Sequence, residues 1–319
     1  MRPKTASVDW CAGNNCLLNG PTQPRRIRMK IGLQVPSFTW PGGPAQIPGK
    51  LAEIAHVVDD SGFYSLWVMD HFFQIRGVGP HENDMLEGYS TLSYLAALTK
   101  KVKLGTLATG VIYRHPGVLV KTVTTLDVLS NGRAYFSIGA AWNEQEAKGL
   151  GVPFPAIGVR FELLEEALQI AKQMWSANNG PYHGKHNHLE ETLCSPQPLS
   201  RPHPPILVAG GGEKKTLRLV AQYGDACNLF GAPEAVSAKL AILRRHCDAL
   251  GRDYGSIEKT TLGTVDLAPG KMNAADVIAQ CKRFATIGVQ HAIFNLPNVH
   301  EIRPLEVFGR DIIPAVAGL

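Results

Sequence analysis

Long hydrophobic runs are missing from this chain. No apolar stretch reaches membrane-spanning length, and residues 1–30 lack the apolar core of a signal peptide. These absences lead us to expect a cytoplasmic protein with no membrane association. Charge is scarce as well, at 18% of 319 residues, and the formal net charge of +5 is local. Residues 1–30 hold six bases (Arg2, Lys4, Arg25, Arg26, Arg28, Lys30) against the single acid Asp9, which accounts for the whole excess; the other 26 bases face 26 acids. A neutral body argues against nucleic acid as the main partner. The basic head reads as an interaction arm or, more simply, as an extension, because Met29-Lys30 opens the first strand cleanly. We therefore expect residues 1–28 to be a disordered basic extension and residues 29–319 to form the domain. Cysteines are few and scattered, at 11, 16, 194, 227, 247 and 281. Their one close pair, Cys11 and Cys16, is a weak zinc signal without a second pair, so six free thiols and no metal are expected.

What the chain does have is a repeated alternation of short apolar runs and amphipathic stretches. The segment from Leu104 to Pro155 shows it best. Strand three, Val102–Ala108, stops at Thr109-Gly110. Pro116 suits the first turn of a helix, where its missing N–H costs nothing. Leu119, Thr122, Val123, Leu126 and Leu129 give that helix one buried face, and Asn131-Gly132 ends it. Strand four is Ala134–Ile138. The other strands are Lys30–Val35, Ser65–Met69, Ile206–Ala209, Ala226–Phe230, Lys259–Asp266 and His291–Asn295. Helices are expected around Leu51–Val58, Tyr89–Leu98 and Phe161–Trp175, then over Glu213–Tyr223, Glu234–Leu250, Ala274–Ile287 and Glu301–Ile312. In the Phe161 helix, Glu162, Glu165 and Glu166 read as turned away from the apolar stripe. Residues 177–204, rich in Pro and Gly, read as an insertion before strand five, with a hairpin as one form. Eight βα units over roughly 290 residues have the period of a (β/α)8 TIM barrel. A doubly wound sheet would want a GxGxxG turn after the first strand, where this chain has Gln34-Val35-Pro36-Ser37.

In such a barrel, the active site is built at the C-terminal ends of the strands. The residues there are Phe38, Asp70, His71, Thr109, Gly139–Asn143, Gly210–Gly212, Phe230, Asp266 and Asn295. Strand one carries no HxH, the rim holds no carboxylate cluster, and no lysine ends a strand. Metal hydrolysis and Schiff-base chemistry therefore lack their groups. What remains is a cavity of small apolar residues with one His–Asp pair, which suits a planar cofactor that carries the chemistry itself. Gly210-Gly211-Gly212 before a helix lets a phosphate approach backbone N–H groups, although a plain tight turn has the same composition. His183, His186 and His188 have the look of a metal triplet. They sit in the insertion away from the rim, which reads them as solvated hairpin residues.

The stretches WVMDHF (Trp67–Phe72), LGTLATGVIYRHP (Leu104–Pro116), TLDVLSNGRAYFSIGAAWNEQEAKGLGVPFP (Thr125–Pro155) and PPILVAGGGEKKTLRLVAQYGDACNLFG (Pro204–Gly231) resemble the bacterial luciferase-like superfamily. Within it, they are most similar to the branch that uses the deazaflavin coenzyme F420. The resemblance covers about residues 29–315. It implies a TIM barrel with an insertion, no metal, a small-molecule substrate and a homodimer. The cofactor would lie in the barrel mouth against Thr106, Leu107, Ala108, Thr109, Gly139, Ala140, Ala141 and Asn143. Its polar tail would lie near Gly210, Gly211 and Gly212. A non-prolyl cis peptide is implied within Thr106–Ala108, behind the ring. His71 would transfer the proton that accompanies hydride transfer, with Asp70 orienting the ring or binding the cofactor head. Phe38, Trp142 and Phe230 would wall the substrate. The sugar-phosphate dehydrogenases of this branch carry a Glu after strand four where this chain has Trp142, so glucose 6-phosphate is not the expected substrate. FMN, in a luciferase-like monooxygenase using FMNH2 and oxygen, is the alternative cofactor. A barrel that binds flavin without turnover is the non-enzymatic alternative.

Overall fold

The structure is a computed structural model and describes residues 29–319. The expected extension at residues 1–28, with Cys11 and Cys16, lies outside the described residues. The strands are β1 (Lys30–Val35), β2 (Ser65–Val68), β3 (Lys103–Thr106, resuming at Thr109–Gly110) and β4 (Phe136–Gly139). They are followed by β5 (Ile206–Ala209), β6 (Ala226–Leu229), β7 (Glu258–Thr264) and β8 (His291–Asn295). Neighbours in the sheet run β3-β2-β1-β8-β7-β6-β5-β4 and return to the second piece of β3. A parallel bridge between Leu104 and Ala134 completes the closure. Every pairing in this sheet is parallel, so each strand needs a crossover on the outside of the barrel. Strand three is not continuous as read from sequence. It breaks at a cis peptide between Leu107 and Ala108, within the implied stretch.

The outer helices are α1 (Ile47–Asp60), α2 (Gly88–Leu98), α3 (Pro116–Leu129), α4 (Glu144–Gly149) and α5 (Ile157–Met174), then α6 (Thr216–Tyr223), α7 (Pro233–Leu250) and α8 (Ala274–Thr286). In α1, the buried positions Ile47, Leu51, Ile54, Ala55 and Val58 fall at helical spacing and face the sheet. Helix α6 begins three residues later than the sequence suggests. Glu213–Lys215 form a turn first, with no side-chain cap on the helix. The expected last helix is interrupted. Arg303–Val307 passes through a π-turn at Phe308–Ile312 before Ile313–Val316. The insertion does hold an antiparallel hairpin, Tyr182–His183 against His188–Leu189.

Two cores result from the alternation of side chains along each strand. The large one lies between strands and helices. The small one, Trp67, Leu107, Tyr135, Leu207, Ala226 and Ile293, draws on almost every strand and fills the barrel interior. Below it, the first residues of four strands form a polar floor. Lys30 Nζ donates to Glu258 Oε1 at 2.7 Å, and the Tyr135 hydroxyl donates to Glu258 Oε2 at 2.9 Å. Ser65 Oγ lies 2.8 Å from His291 Nε2 and accepts from Trp67 Nε1 at 2.6 Å. Burial pushes the His291 imidazole down to about 4, so it is neutral. This plug closes the N-terminal end.

One sequence reading is corrected here. Glu166 is 7% exposed and turns toward the protein. Its carboxylate accepts from the backbone N–H groups of Lys185 (2.6 Å), His186 (3.0 Å) and Asn187 (2.9 Å), and from Asn187 Nδ2 (2.8 Å). It ties the hairpin to α5. A helical periodicity assigns a face, and a loop folded back on that face converts it from solvent to interior. His186, in the same hairpin, has its Nε2 2.6 Å from Glu162 Oε2 of α5. Among the described residues, no three His, Cys, Asp or Glu side chains are grouped to hold a metal ion. Cys194, Cys227, Cys247 and Cys281 are buried free thiols.

Candidate active site

At the C-terminal ends of the strands lies a cavity of about 520 Å³, within the usual size of a small-molecule site. Thirteen of the expected residues line it: Asp70 and His71 after β2, Leu107–Thr109 in β3, Gly139–Trp142 after β4, Gly210 and Gly212 after β5, Phe230 after β6, and Asn295 at the end of β8. Five do not line it. Asp266 accepts from Ala268 N–H at 3.0 Å in the loop after β7. Phe38 is 1% exposed and packs in the core, its ring 5.7 Å from that of Trp40. Thr106 is buried, its hydroxyl 2.6 Å from that of Thr109, which in turn lies 2.7 Å from the Tyr89 hydroxyl. Asn143 is the N-cap of α4. The carbonyl of Gly211 accepts from Lys239 Nζ at 2.6 Å. Gly210 has φ +115°, a conformation open to glycine, and carries the chain across the cavity edge.

Asp70 and His71 point to different partners, so the His–Asp pair read from sequence is not a hydrogen-bonded pair. Asp70 forms a two-pronged ion pair with Arg114, Oδ2 to Nη1 at 2.8 Å and Oδ1 to Nη2 at 2.9 Å, and accepts from Gly110 N–H at 3.1 Å. Arg114 also donates to Glu87. Burial pushes the Asp70 carboxyl up against the pull of Arg114. Burial likewise opposes the Arg114 charge, but the bonds to Asp70 outweigh it and raise the guanidinium. The pair locks the end of β2 to the second piece of β3.

His71 instead meets Glu146, with Nδ1 at 3.2 Å from Oε1 and 3.3 Å from Oε2. Glu146 is fully buried and also accepts from the N–H groups of Phe72 (2.9 Å) and Phe73 (3.0 Å) and from the Tyr113 hydroxyl. Although burial opposes its charge, bonds from His71, Tyr113 and Phe73 hold the Glu146 carboxyl below its ordinary value. Burial and the Glu146 carboxylate raise the Tyr113 hydroxyl. Sequence reasoning missed Glu146. Its one signal is the Asn143-x-x-Glu146 spacing, which reads as a helix capping box. In the structure only the Asn143 half of that box forms, its oxygen accepting from Glu146 N–H, while the carboxylate turns to His71.

The remaining lining is apolar or small. Leu262, Ala209 and Ala140 are half-buried, and Trp142 (61% exposed), Ile157 (52%), Phe230 (50%) and Val78 (39%) stand around the mouth. The Trp142 ring lies edge-on to His71, with centroids 5.3 Å apart at 71°. Ala141, with φ +60°, turns the chain out of β4 and so brings Trp142 over the opening. Asn295 Oδ1 is buried at the cavity wall with no hydrogen-bond partner. No Lys or Arg among the described residues lines the cavity. The site therefore has one uncommitted acid/base group, His71, one orphaned acceptor, and no nucleophile.

Comparison with known proteins places the chain in a family. The pattern that defines the luciferase-like monooxygenase family matches residues 29–303. The chain is 34% identical over 217 residues to an F420-dependent glucose-6-phosphate dehydrogenase of Kineococcus radiotolerans, covering 67% of this chain and 62% of that one. A protein of the same name from Amycolatopsis mediterranei is 29% identical over 328 residues, covering 85% and 96%. In fold, the chain is similar to an F420-dependent secondary alcohol dehydrogenase in complex with an F420-acetone adduct. The TM-score is 0.76 at 20% identity, covering 91% of this chain and 99% of that one.

Proposed function

The chain belongs to the luciferase-like monooxygenase family, and from that membership we propose an oxidoreductase that uses coenzyme F420. It passes a hydride between the deazaflavin C5 and a small organic substrate, either an alcohol–carbonyl pair or an activated C=C or C=N. The observation that carries this reading is the cavity itself. Its walls are apolar and small, and His71 is its one uncommitted acid/base group. The F420-dependent relatives support it.

The residues fit such a cofactor. Leu107, Ala108, Gly139 and Ala140 offer flat, small walls to a planar ring. Asn295 Oδ1 would be satisfied by an N–H on the ring's polar edge. Gly210 and Gly212 leave room for a phosphate-bearing tail beside the backbone. When bound, the deazaflavin supplies or takes up a hydride at C5. His71 moves the coupled proton at Nε2. Asp70, held by Arg114, fixes the Gly110 end of β3. Trp142 and Phe230 cover the mouth and exclude water. A phosphorylated sugar meets no cation in this cavity, which favours an uncharged substrate. We further propose a cytoplasmic homodimer. The buried free thiols suit a reducing compartment, and Val118 and Leu193 expose apolar surface along one groove beside α3.

Fluorescence titration tests the cofactor. F420 should bind at least about tenfold more tightly than FMN, a gap of roughly 1.4 kcal/mol. The reverse order transfers the chain to FMN-dependent monooxygenation.

A further inference from the structure

Glu146 has no place in the reading above, yet it is the most heavily engaged carboxylate at the site. We propose that Glu146 is the positioning residue for His71. It holds the neutral imidazole in the tautomer with its proton on Nδ1, and so leaves Nε2 bare toward the cavity.

An ionised carboxylate accepts hydrogen bonds and cannot donate them. Glu146 is ionised because its surroundings favour the charge, as described above. Both its oxygens lie within 3.3 Å of His71 Nδ1, so that nitrogen must carry the proton. The neutral ring then has its lone pair on Nε2, and no described residue hydrogen-bonds that atom. The carboxylate cannot swing away to relieve the constraint. Oε2 is held by the Phe72 and Phe73 amides and Oε1 by the Tyr113 hydroxyl. The competing acid cannot take over, since both oxygens of Asp70 are engaged by Arg114. The Trp142 ring also meets the His71 ring edge-on, with centroids 5.3 Å apart.

The consequence follows from proton balance. When a substrate alcohol is oxidised, with its C–H hydride taken up by bound F420 as proposed above, its O–H bond breaks, a C=O forms and a new N–H forms at Nε2. The imidazolium that results is paired with the Glu146 carboxylate. In the reverse direction, the same Nε2–H is donated and the ring returns to the Nδ1–H tautomer. With the opposite tautomer, Nε2 would already be occupied and could accept nothing. This role rests on the acid/base reading of His71, but its test does not need the cofactor.

The test is a long-range 1H–15N spectrum of the full chain labelled at histidine. It is recorded at about pH 8.5, above the ordinary histidine range, with His71 assigned by its loss in His71→Asn. Wild type should show Nδ1 protonated and Nε2 bare. A protonated Nε2 in wild type overturns the proposal without recourse to any variant. Glu146→Gln, whose amide can accept or donate, should produce a mixture of tautomers. In turnover it should lower kcat by at least about tenfold, with KM and F420 affinity changed less than twofold. An unchanged tautomer and unchanged kcat in Glu146→Gln would reduce Glu146 to a brace for the Phe72–Phe73 loop and sink the idea. Tyr113→Phe removes one support and keeps the carboxylate, so the Nδ1–H tautomer should persist; its loss there also counts against the proposal. If instead His71→Asn leaves turnover intact, the acid/base reading of His71 fails while the tautomer result stands.

Discussion

Replacing Glu166 by Gln isolates the contribution of one buried carboxylate to one piece of the fold. The charged oxygens receive four donors from Lys185, His186 and Asn187. Gln keeps one acceptor oxygen for Lys185 and His186. It places an NH2 against the N–H and Nδ2 of Asn187, where donor would face donor. Hydrogen bonds to a charged group contribute about 1.5–3 kcal/mol each, so losing two costs about 3–6 kcal/mol before relaxation. The hairpin is partly exposed and can recover some of that loss to water, which leaves about 2–4 kcal/mol. The effect should be local, because the hairpin can open while the barrel stays closed. Amide hydrogen exchange is therefore the assay. Protection at Lys185, His186 and Asn187 should fall by about 30–1,000-fold, with barrel amides unchanged. Gly184→Ala should act in the same direction, since its Cβ would come 2.6–2.8 Å from the Glu166 carboxylate. Although burial opposes it, the bonds from Asn187, His186 and Lys185 lower the Glu166 carboxyl from its ordinary 4.5. A carboxyl lowered in the folded state stabilises above its unfolded value and loses that contribution as pH falls through the folded value. Wild-type protection at the hairpin should thus decline below about pH 4.5, and the Gln variant should not follow it. Protection within threefold of wild type at neutral pH would refute the reasoning.

Arg114→Met should destabilise by about 3–5 kcal/mol in denaturant unfolding, because it strands the buried Asp70 carboxylate. The loss should be larger at about pH 8 than at about pH 5, since an unpaired buried carboxyl has its folded pKa raised and loses stability as pH climbs above the unfolded value; Arg114→Met with Asp70→Asn should recover most of it. Gly105→Ala should cost about 1–3 kcal/mol by overpacking, because its Cβ would lie 2.7 Å from the Trp67 ring in the filled barrel. Gly49→Ala in α1, with nothing within 4 Å, should instead gain about 0.4–1 kcal/mol, so equal unfolding midpoints for the two variants would contradict the packing argument. His71→Asn should lower turnover by about 10²–10⁴-fold while leaving F420 affinity unchanged in the same fluorescence titration.

The barrel was legible because its signals are local and repeated. Each strand is a short apolar run, each helix carries a face at helical spacing, and Pro116 or Asn131-Gly132 marks the boundary between them. The chemistry-bearing rim follows from topology alone, which is why Asp70, His71 and Trp142 could be placed before any coordinates. Buried carboxylates escaped that reading. Asp59 accepts from the N–H groups of Lys100, Lys101 and Val102 at the start of β3. Asp127 accepts from Ser200 and Ala134, Glu166 gathers the hairpin, and Glu146 gathers His71 with the loop after it. Each such acid satisfies backbone donors from a segment distant in sequence, so its burial depends on where a loop folds back. Periodicity carries no record of that. The same applies to Phe38, which sits near the end of β1 yet turns into the core beside Trp40. It follows β1 by three residues, and its direction is set by packing.

The polar plug of Lys30, Glu258, Tyr135 and His291 fills the N-terminal end of the barrel, opposite a mouth ringed by Trp142, Ile157 and Phe230. Two molecules that occupy the cavity together must pass through it in turn. A guest against Leu107 and Asn295 would arrive before one that fills the mouth and leave after it. Passage by that route would be a stack, last in and first out, with its order set by masonry at the far end of the barrel.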